Sequence, residues 1–311
     1  MSKLLYLLSH HTGLREADVE RIIERAPDTY KTYYIDKRNG RGKRLIAQPA
    51  REVKVLQRLL ARRLAGLPIH DAAMAYRTGV SIRANALKHA PNGPIRKYDF
   101  KDFFPSILGS DWIDYCQRSP IFSDSADIHR SAKLFFYRAS RGHILRLAIG
   151  APSSPWLSNV LMYHFDDAMA RAVAKDRVTY TRYADDLTFS APRTGHLTVV
   201  DAALRHILHD VTGPRLRLNE EKTVVATTKF RRVVTGLVLT NQGEVSIGRD
   251  TKRLVRSMVH HCLLGDLSPE ETMRLLGLVA HIRSVEPSFY QKLRARYGAE
   301  FEQAMRGYPQ L

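Results

Sequence analysis

The chain has 311 residues, of which 49 are lysine or arginine and 31 are aspartate or glutamate, so its formal net charge is +18. Hydrophobic residues make up 44% and aromatic residues 9%, which is enough to bury a core and excludes wholesale disorder. No window approaches the roughly 18 unbroken apolar residues of a membrane span. Because the positive charge is spread over the whole length, we expect a polyanionic partner.

The start of the chain and its cysteines bear on the cellular compartment. The run MSKLLYLLSHH has leucines at helical spacing and no small-residue cleavage site, so it is more typical of a packed helix than of a signal peptide. Two cysteines, Cys116 and Cys262, make neither a disulfide framework nor a structural zinc site. We therefore expect a cytoplasmic protein with no membrane partner.

Hydrophobic spacing and turn residues predict an alternation of helices and strands. In chain order we expect helices over 2–9 and 15–26, a hairpin over 30–48, helices over 49–64 and 82–90, a strand over 94–99, helices over 127–140 and 155–174, a hairpin over 177–190 and a mostly helical final segment. This interleaving predicts the α+β class. The first hairpin turns at Asn39-Gly40. Its loop, residues 37–44, contains five cations. This loop is either a solvated turn or a cationic loop that closes on phosphates.

Three aspartates are the candidate catalytic residues of this sequence. Asp185 and Asp186 lie side by side at the predicted turn of the second hairpin, and Asp99 ends an earlier strand. Adjacent carboxylates repel one another unless a cation is bound, and hard oxygen ligands suit Mg²⁺. Two Mg²⁺ ions bridged by carboxylates are a standard device for in-line nucleotidyl transfer. The three residues are therefore candidate ligands of two Mg²⁺ ions.

Several short strings occur in an order that resembles a known enzyme family. They are DxxxFF at 99–104, GAPSSPxLSN at 150–159 and YADD at 183–186, with KRLIAQP at 43–49 before them and LNxxKT at 218–223 after them. Together they resemble a reverse transcriptase palm and its fingers, over roughly residues 30–250. The NAxxH string at 85–89 and the VTG triplet at 234–236 resemble the elements that distinguish bacterial retron reverse transcriptases.

The resemblance implies a right-hand polymerase architecture. Its fingers and its palm, an antiparallel sheet with packed helices, would form a reverse transcriptase domain over 30–240. A helical segment over 1–29 would precede this domain, and a helical, RNA-binding thumb would follow over 241–311.

The resemblance also implies roles for individual residues. Asp99, Asp185 and Asp186 would be the catalytic metal ligands. Phe104 would be a steric gate whose ring clashes with a 2′-hydroxyl, while Phe103 belongs to the core and Asp102 caps the following turn. The residues that would bind the incoming nucleotide are Lys43, Arg44, Phe104, Gly150 and Lys222, with Lys222 either protonating the pyrophosphate or holding a phosphate.

One departure concerns the segment before Gly150. The family shows Leu-Pro-Gln-Gly there, whereas this chain has Leu147-Ala148-Ile149-Gly150. Ile149 thus replaces a glutamine that, in the family, helps to position the incoming nucleotide, so the departure bears on efficiency and sugar selectivity and not on the metal chemistry. We expect Ser153 or Ser154 to cap the helix that follows.

A further set of residues is expected to contact RNA. Asn85 and His89 share one helix face and either order the local structure by hydrogen bonds or touch RNA, and we favour RNA. Basic helices with aromatic residues between the cations suit an RNA stem, although a plain solvated face is the competing interpretation. The thumb residues in this set are Arg253, Arg256, Lys292 and Arg294.

The resemblance implies RNA-directed DNA synthesis on a structured noncoding RNA, msr-msd. Deoxynucleotides would be joined to a guanosine 2′-hydroxyl of that RNA, which gives branched multicopy single-stranded DNA (msDNA). The implied partners are a host RNase H and a separately encoded effector, in antiphage defence. The alternatives are an intron-encoded or diversity-generating reverse transcriptase, a noncatalytic RNA-binding protein on a degenerate palm, and an RNA replicase, which would need a different gate from Phe104.

Overall fold

A computed structural model describes residues 2–37, 40, 42–139 and 142–306. The helices of this part of the chain are α1 Lys3–Thr12, α2 Glu16–Arg25, α3 Arg51–Arg63, α4 Ile82–His89, α5 Phe103–Ser106, α6 Gly109–Arg118, α7 Ser125–Phe135, α8 Ser154–Leu161, α9 Tyr163–Ala174, α10 Val199–Asp210, α11 Arg249–Leu264, α12 Pro269–Val285 and α13 Pro287–Arg306. The strands are β1 Tyr30–Asp36, β2 Lys43–Pro49, β3 Ile95–Asp99, β4 Tyr137–Arg138, β5 Leu145–Arg146, β6 Thr179–Tyr183, β7 Asp186–Ser190, β8 Val224–Ala226, β9 Arg232–Val234, β10 Leu237–Leu239 and β11 Val245–Ser246. None of the described helices is long and apolar enough to cross a membrane.

The central sheet has four antiparallel strands in the order β6-β7-β3-β8. Strands β6 and β7 form the hairpin that the sequence predicted over 177–190, and β3 pairs with β7 from Ile95 opposite Ser190 to Asp99 opposite Asp186. Strands β1 and β2 form a separate hairpin, and β9, β10 and β11 a separate three-stranded sheet. The α+β class is confirmed. Arg38, Asn39 and Arg41 of the predicted cationic turn lie outside the described residues.

Two predicted helices differ from the structure. The helix predicted over 155–174 is two helices, α8 and α9, because Met162 between them has ψ near 1° and turns the chain. The helix predicted over 127–140 ends at Phe135, since Phe136 is extended and Tyr137 begins the short strand β4. Consecutive aromatic residues favour strands over helices, and Tyr137 pairs with Arg146 of β5.

The buried hydrophobic residues form two large clusters. The first cluster contains the faces of α1, α2 and α3 together with the helices that cover the central sheet, with Leu8, Trp112 and Phe189 fully buried. The second cluster joins the sheet β9–β11 to α11, α12 and α13. Ala86 and Ala90 of the α4 region belong to the second cluster, so α4 lies where the two parts of the molecule meet.

Candidate active site

The YADD string forms the tight turn of the β6–β7 hairpin. Tyr183 pairs with Asp186, so only Ala184 and Asp185 make the turn, and Ala184 adopts a left-handed φ of +57°. Two-residue hairpin turns need a positive φ, which a non-glycine residue adopts at some cost. The turn therefore projects Asp185 and Asp186 from one end of the central sheet.

Asp99 reaches the same end from the neighbouring strand. It lies opposite Asp186 in the β3–β7 register, and the backbone N–H of Phe100 donates to the carbonyl of Asp185 over 3.0 Å. Asp99 is buried, whereas Asp185 and Asp186 are half-buried. The fold thus brings together the three carboxylates that the sequence singled out, although Asp99 is distant from the other two along the chain.

The three carboxylates influence one another electrostatically. Burial raises the pKa of Asp185 to about 6, and the negative charges of Asp99 and Asp186 add to this effect. Burial also raises the pKa of Asp186, with Asp99 adding to the shift and the nearby Lys97 opposing it. A carboxylate is destabilised by burial and by like charges, so this cluster favours the binding of a cation.

Lys222 is the cation that meets the cluster. Its Nζ donates to both carboxylate oxygens of Asp99, each over 2.9 Å. The segment that carries Lys222 is held against the end of β3, because the N–H of Asn219 donates to the carbonyl of Asp99 over 2.7 Å. Lys222 was predicted to act on phosphate, and its exposed stem places the ammonium at the edge of the acidic cluster.

The donor set suits Mg²⁺ in its chemistry, since three carboxylates offer hard oxygen ligands. Within the described residues, however, no three acidic, histidine or cysteine side chains converge on one point as metal ligands do. The Asp99 carboxylate is instead engaged by the ammonium of Lys222. The residues therefore fit a divalent cation in charge and ligand type, and Asp99 would have to exchange Lys222 for the metal.

Phe104 lies on α5, directly after the strand that carries Asp99. Its ring is half-buried and contacts Tyr76, with 6.2 Å between ring centroids. Phe103 is buried and stacks on Phe100 at 5.8 Å, so its predicted place in the core is confirmed. Asp102 occupies the N-cap position of α5 with φ +48°, but its side chain accepts no capping hydrogen bond, so that prediction was wrong.

Tyr76 is a residue of this site that the sequence did not reveal. It lies in the loop between α3 and α4, and half of its side chain is exposed. Burial of the rest raises the pKa of the phenol, Asp185 adds to this effect, and Arg44 opposes it. Tyr76 is thus influenced by an acid of the central sheet and by a cation of β2, and it contacts Phe104.

Gly150 is required by the close approach of β2. The N–H of Ala47 donates to the carbonyl of Ile149 over 2.8 Å, and a Cβ at Gly150 would lie 2.9 Å from the carbonyl oxygen of Ala47. Gly150 also has a left-handed φ of +123°. The glycine therefore lets β2, whose first residues are the exposed Lys43 and Arg44, pack against this loop.

The serines after Gly150 do not act as the predicted caps. Ser153 is the N-cap residue of α8, but its side chain forms no capping hydrogen bond. The hydroxyl oxygens of Ser153 and Ser154 are both buried and have no hydrogen-bond partner among the described residues. The predicted cap at this helix start was wrong.

Asn85 and His89 lie in the interior, and a direct contact with RNA does not fit their burial. Both are fully buried on α4. The ring of His89 makes hydrogen bonds of 2.7 Å with the hydroxyls of Ser190 and Thr181, and Thr181 in turn donates to the amide oxygen of Asn85 over 2.7 Å. Of the two roles considered for this pair, the structure supports the ordering of the local structure by hydrogen bonds.

The VTG triplet forms the tight turn between β9 and β10. Thr235 and Gly236 both have left-handed φ values, +48° and +83°. The hydroxyl of Thr235 donates to the carbonyl of Ile82 at the start of α4 over 3.2 Å. The NAxxH helix and the VTG turn, which resemble retron elements, therefore meet in one contact.

The four cations predicted to bind RNA in the thumb are all exposed, and they follow the three aspartates in the sequence by more than 60 residues. Arg253 and Arg256 are exposed on α11, and the Arg256 guanidinium lies 5.1 Å from the centroid of the Phe289 ring. Lys292 and Arg294 are exposed on α13, where Arg294 forms an ion pair with Glu302.

A buried ion pair under the YADD turn was not predicted either. Arg182 and Asp166 are fully buried, and the two nitrogens that Arg182 directs at the carboxylate lie 2.6 and 2.9 Å from its oxygens. A third nitrogen of Arg182 donates to the carbonyl of Ala184 over 3.2 Å. The signal in the sequence was a charged residue in the middle of a strand-forming run, but nothing there identified its partner.

Comparisons with known proteins agree with this geometry. A family model described as reverse transcriptase (RNA-dependent DNA polymerase) matches residues 35–279. The retron Ec83 reverse transcriptase of Escherichia coli is 34% identical over 305 residues, which cover 96% of this chain and 97% of the relative. The retron Ec73 reverse transcriptase of the same species is 30% identical over 292 residues, 90% of each chain.

A solved structure shows the same fold. Apo telomerase from Candida tropicalis superposes with a TM-score of 0.50 at 13% identity, over 89% of this chain and 60% of that one. The fold is that of a right-hand polymerase. The chain belongs to the reverse transcriptase family and, within it, to the retron reverse transcriptases. It is an RNA-directed DNA polymerase.

Proposed function

We propose that this polymerase copies its own structured noncoding RNA, msr-msd, into msDNA and begins the DNA strand at a guanosine 2′-hydroxyl of that RNA. The observation that carries the polymerase chemistry is the position of Asp99, Asp185 and Asp186 together at one end of the central sheet. Two observations support the retron-specific part: the relatives are retron reverse transcriptases, and the NAxxH helix touches the VTG turn.

The acidic cluster would hold two Mg²⁺ ions through Asp99, Asp185 and Asp186. When bound, such ions lower the pKa of the attacking hydroxyl and neutralise charge on the leaving pyrophosphate. Lys222 would release Asp99 as the site loads and would then face the phosphates. Its ammonium either donates a proton to the pyrophosphate or holds it by charge.

The incoming deoxynucleotide would lie between the palm and β2. Lys43 and Arg44 are exposed cations at the start of β2 and would meet the triphosphate. Phe104 would lie under the sugar, where its ring excludes a 2′-hydroxyl. Gly150 would allow β2 to pack closely against the loop at 149–150, which would keep Lys43 and Arg44 near the nucleotide.

The structured RNA would bind along the thumb. Arg253, Arg256, Lys292 and Arg294 project from α11 and α13, and exposed cations on helices suit the backbone of an RNA stem. A host RNase H would then remove the template, and the RNA–DNA product with the protein would restrain a separately encoded effector in antiphage defence.

The metal assignment is tested with the double variant Asp185→Asn, Asp186→Asn. We expect nucleotide incorporation on a DNA primer annealed to an RNA template to be abolished, because amide side chains are poor ligands for Mg²⁺, while RNA binding is retained. The exposed Asp114 on α6 provides the control, and Asp114→Asn should keep full activity. Full activity of the double variant would refute the assignment.

The priming step is tested separately with the cognate RNA as the sole nucleic acid. Deoxynucleotides should be added to the intact RNA, and this addition should be lost when the priming guanosine carries a 2′-deoxyribose. Extension of an annealed DNA primer should be unaffected by that substitution. DNA joined to the 3′ end of the RNA instead would contradict priming from a 2′-hydroxyl and leave the polymerase activity intact.

A further inference from the structure

Tyr76 has a backbone conformation that a tyrosine rarely adopts. Its φ is +60°, in the left-handed region that favours glycine. Such conformations persist only where the surrounding structure holds them, and they are concentrated at functional sites. A tyrosine kept in this position therefore calls for a reason beyond chain reversal, which a glycine would achieve without strain.

The loop before Tyr76 is fixed to β6, which leads into the YADD turn, and to α8. The N–H of Met74 donates to the carbonyl of Arg182, and the N–H of Arg182 donates to the carbonyl of Ala72, each over 2.7 Å. From α8, the amide nitrogen of Asn159 donates to the carbonyl of Ala75 over 2.8 Å. These bonds hold the strained residue in a fixed position relative to the YADD turn.

The fixed backbone directs the Tyr76 ring toward the active site and leaves much of it open. The side chain is 49% exposed, so the ring does not fill the core. Its centroid lies 6.2 Å from that of Phe104 with the planes tilted by 48°, a favourable arrangement for an aromatic pair. Phe104 also contacts the neighbouring Phe103, with 5.4 Å between ring centroids.

We propose that Tyr76 contacts the incoming deoxynucleotide and forms, with Phe104, a two-ring wall that sets the selection of the sugar. Phe104 alone is half-exposed on a helix of one turn, and the Tyr76 ring limits how far it can move. Arg44 and Asp185, the groups that would hold the triphosphate and the metal, are both close enough to Tyr76 to act electrostatically on its phenol. A nucleotide bound by those two groups would place its sugar near this wall.

The test is single-nucleotide incorporation by the full-length protein on a DNA primer annealed to an RNA template. We expect Tyr76→Ala to raise the KM for the deoxynucleotide roughly three- to tenfold, the size of one lost aromatic contact. The preference for deoxynucleotides over ribonucleotides, measured as the ratio of kcat/KM values, should fall. Tyr76→Phe keeps the ring and should retain both values.

Further variants make the result decisive. Tyr76→Gly suits the left-handed backbone, so it removes the ring without strain and should repeat the alanine result even where the alanine variant folds poorly. Phe104→Ala, alone and combined with Tyr76→Ala, tests whether the two rings act as a unit, in which case their effects on sugar preference are not additive. Tyr6→Ala removes a ring that is 58% exposed on α1 and should change nothing.

The outcomes separate the proposal from its competitors. An unchanged sugar preference in Tyr76→Gly would overturn it. So would an unchanged KM for the deoxynucleotide together with weaker binding of the primer–template, because that result assigns the ring to the template strand. The assay uses an annealed primer, so it gives the same answer whether or not priming occurs from a 2′-hydroxyl.

Discussion

His89 shows how a single polar side chain can be buried without a charge. Both ring nitrogens have hydroxyl partners, Ser190 and Thr181, and the ring has no exposed surface. Burial lowers the pKa of His89 to about 3, and the positive charges of Lys88 and Lys97 add to this effect. The imidazole is therefore neutral in the fold, which agrees with a role in joining α4 to the central sheet.

This burial predicts a pH dependence of stability. The folded pKa lies below the unfolded value of about 6.5, so the unfolded chain binds the proton first and the folded state loses stability as pH falls below about 6.5. Between about pH 6.5 and about pH 3, each pH unit should cost about 1.4 kcal/mol of the free energy of unfolding, and above pH 6.5 the protonation of His89 should not change the stability.

The measurement is urea unfolding of wild type and His89→Gln at several pH values. The variant is less stable at neutral pH because its hydroxyl partners are disturbed, but the difference between the two proteins should shrink as the medium becomes acidic. A difference that stays constant from neutral to acidic pH would show that the pKa of His89 is the same in the folded and unfolded states.

At the scale of elements, β6 is joined to α9 by the ion pair of Arg182 and Asp166. The carboxylate also accepts a hydrogen bond of 2.7 Å from the hydroxyl of Tyr180. Arg182 also donates a hydrogen bond to the carbonyl of Ala184 in the YADD turn, so the ion pair is connected to the turn that carries Asp185. A charge left alone in this interior would be strongly destabilising.

Asp166→Asn should therefore lower the free energy of unfolding by about 3 to 5 kcal/mol, because it leaves the Arg182 cation uncompensated. The next residue provides a matched control, since Asp167 pairs with Arg171 at the surface of the same helix. Asp167→Asn should cost at most about 1 kcal/mol. Urea unfolding of both variants measures the difference, and equal costs would mean that Asp166 is not needed to balance Arg182.

The elements also show which parts of the fold and site the sequence could predict. The β6–β7 hairpin and the end of β3 were predicted because strand-forming residues surround short acidic strings of fixed spacing. The break at Met162 was missed because periodic apolar residues continue through it. Tyr76 was missed because its conformation is imposed by distant backbone partners, and no glycine marks the left-handed turn.

At the scale of the whole molecule, α4 joins the two hydrophobic clusters. Its polar face, with Asn85 and His89, bonds to the central sheet, while Arg83 donates to the carbonyl of Val285 at the end of α12 over 3.0 Å. The VTG turn holds its first residue. The NAxxH and VTG strings thus connect the central sheet to the helices proposed to bind RNA.

The net charge of +18 is the other property of the whole molecule, and it predicts strongly salt-dependent RNA binding. Each phosphate neutralised on a single strand contributes about −0.7 to the slope of log K against log salt, and on a duplex slightly more. Cations that already have a carboxylate partner should contribute less. Arg294 pairs with Glu302, whereas Arg253 forms no ion pair with any described residue.

Arg253→Gln should therefore weaken binding of the cognate RNA and reduce the magnitude of the salt slope by about one. Arg294→Gln, on α13, should leave the slope close to that of wild type, because the lost charge was balanced within the protein by Glu302. Fluorescence anisotropy from about 50 to about 200 mM salt measures both slopes. An unchanged slope in Arg253→Gln would remove α11 from the RNA-binding surface, and an equal loss in both variants would show that Arg294 leaves Glu302 for a phosphate when RNA binds.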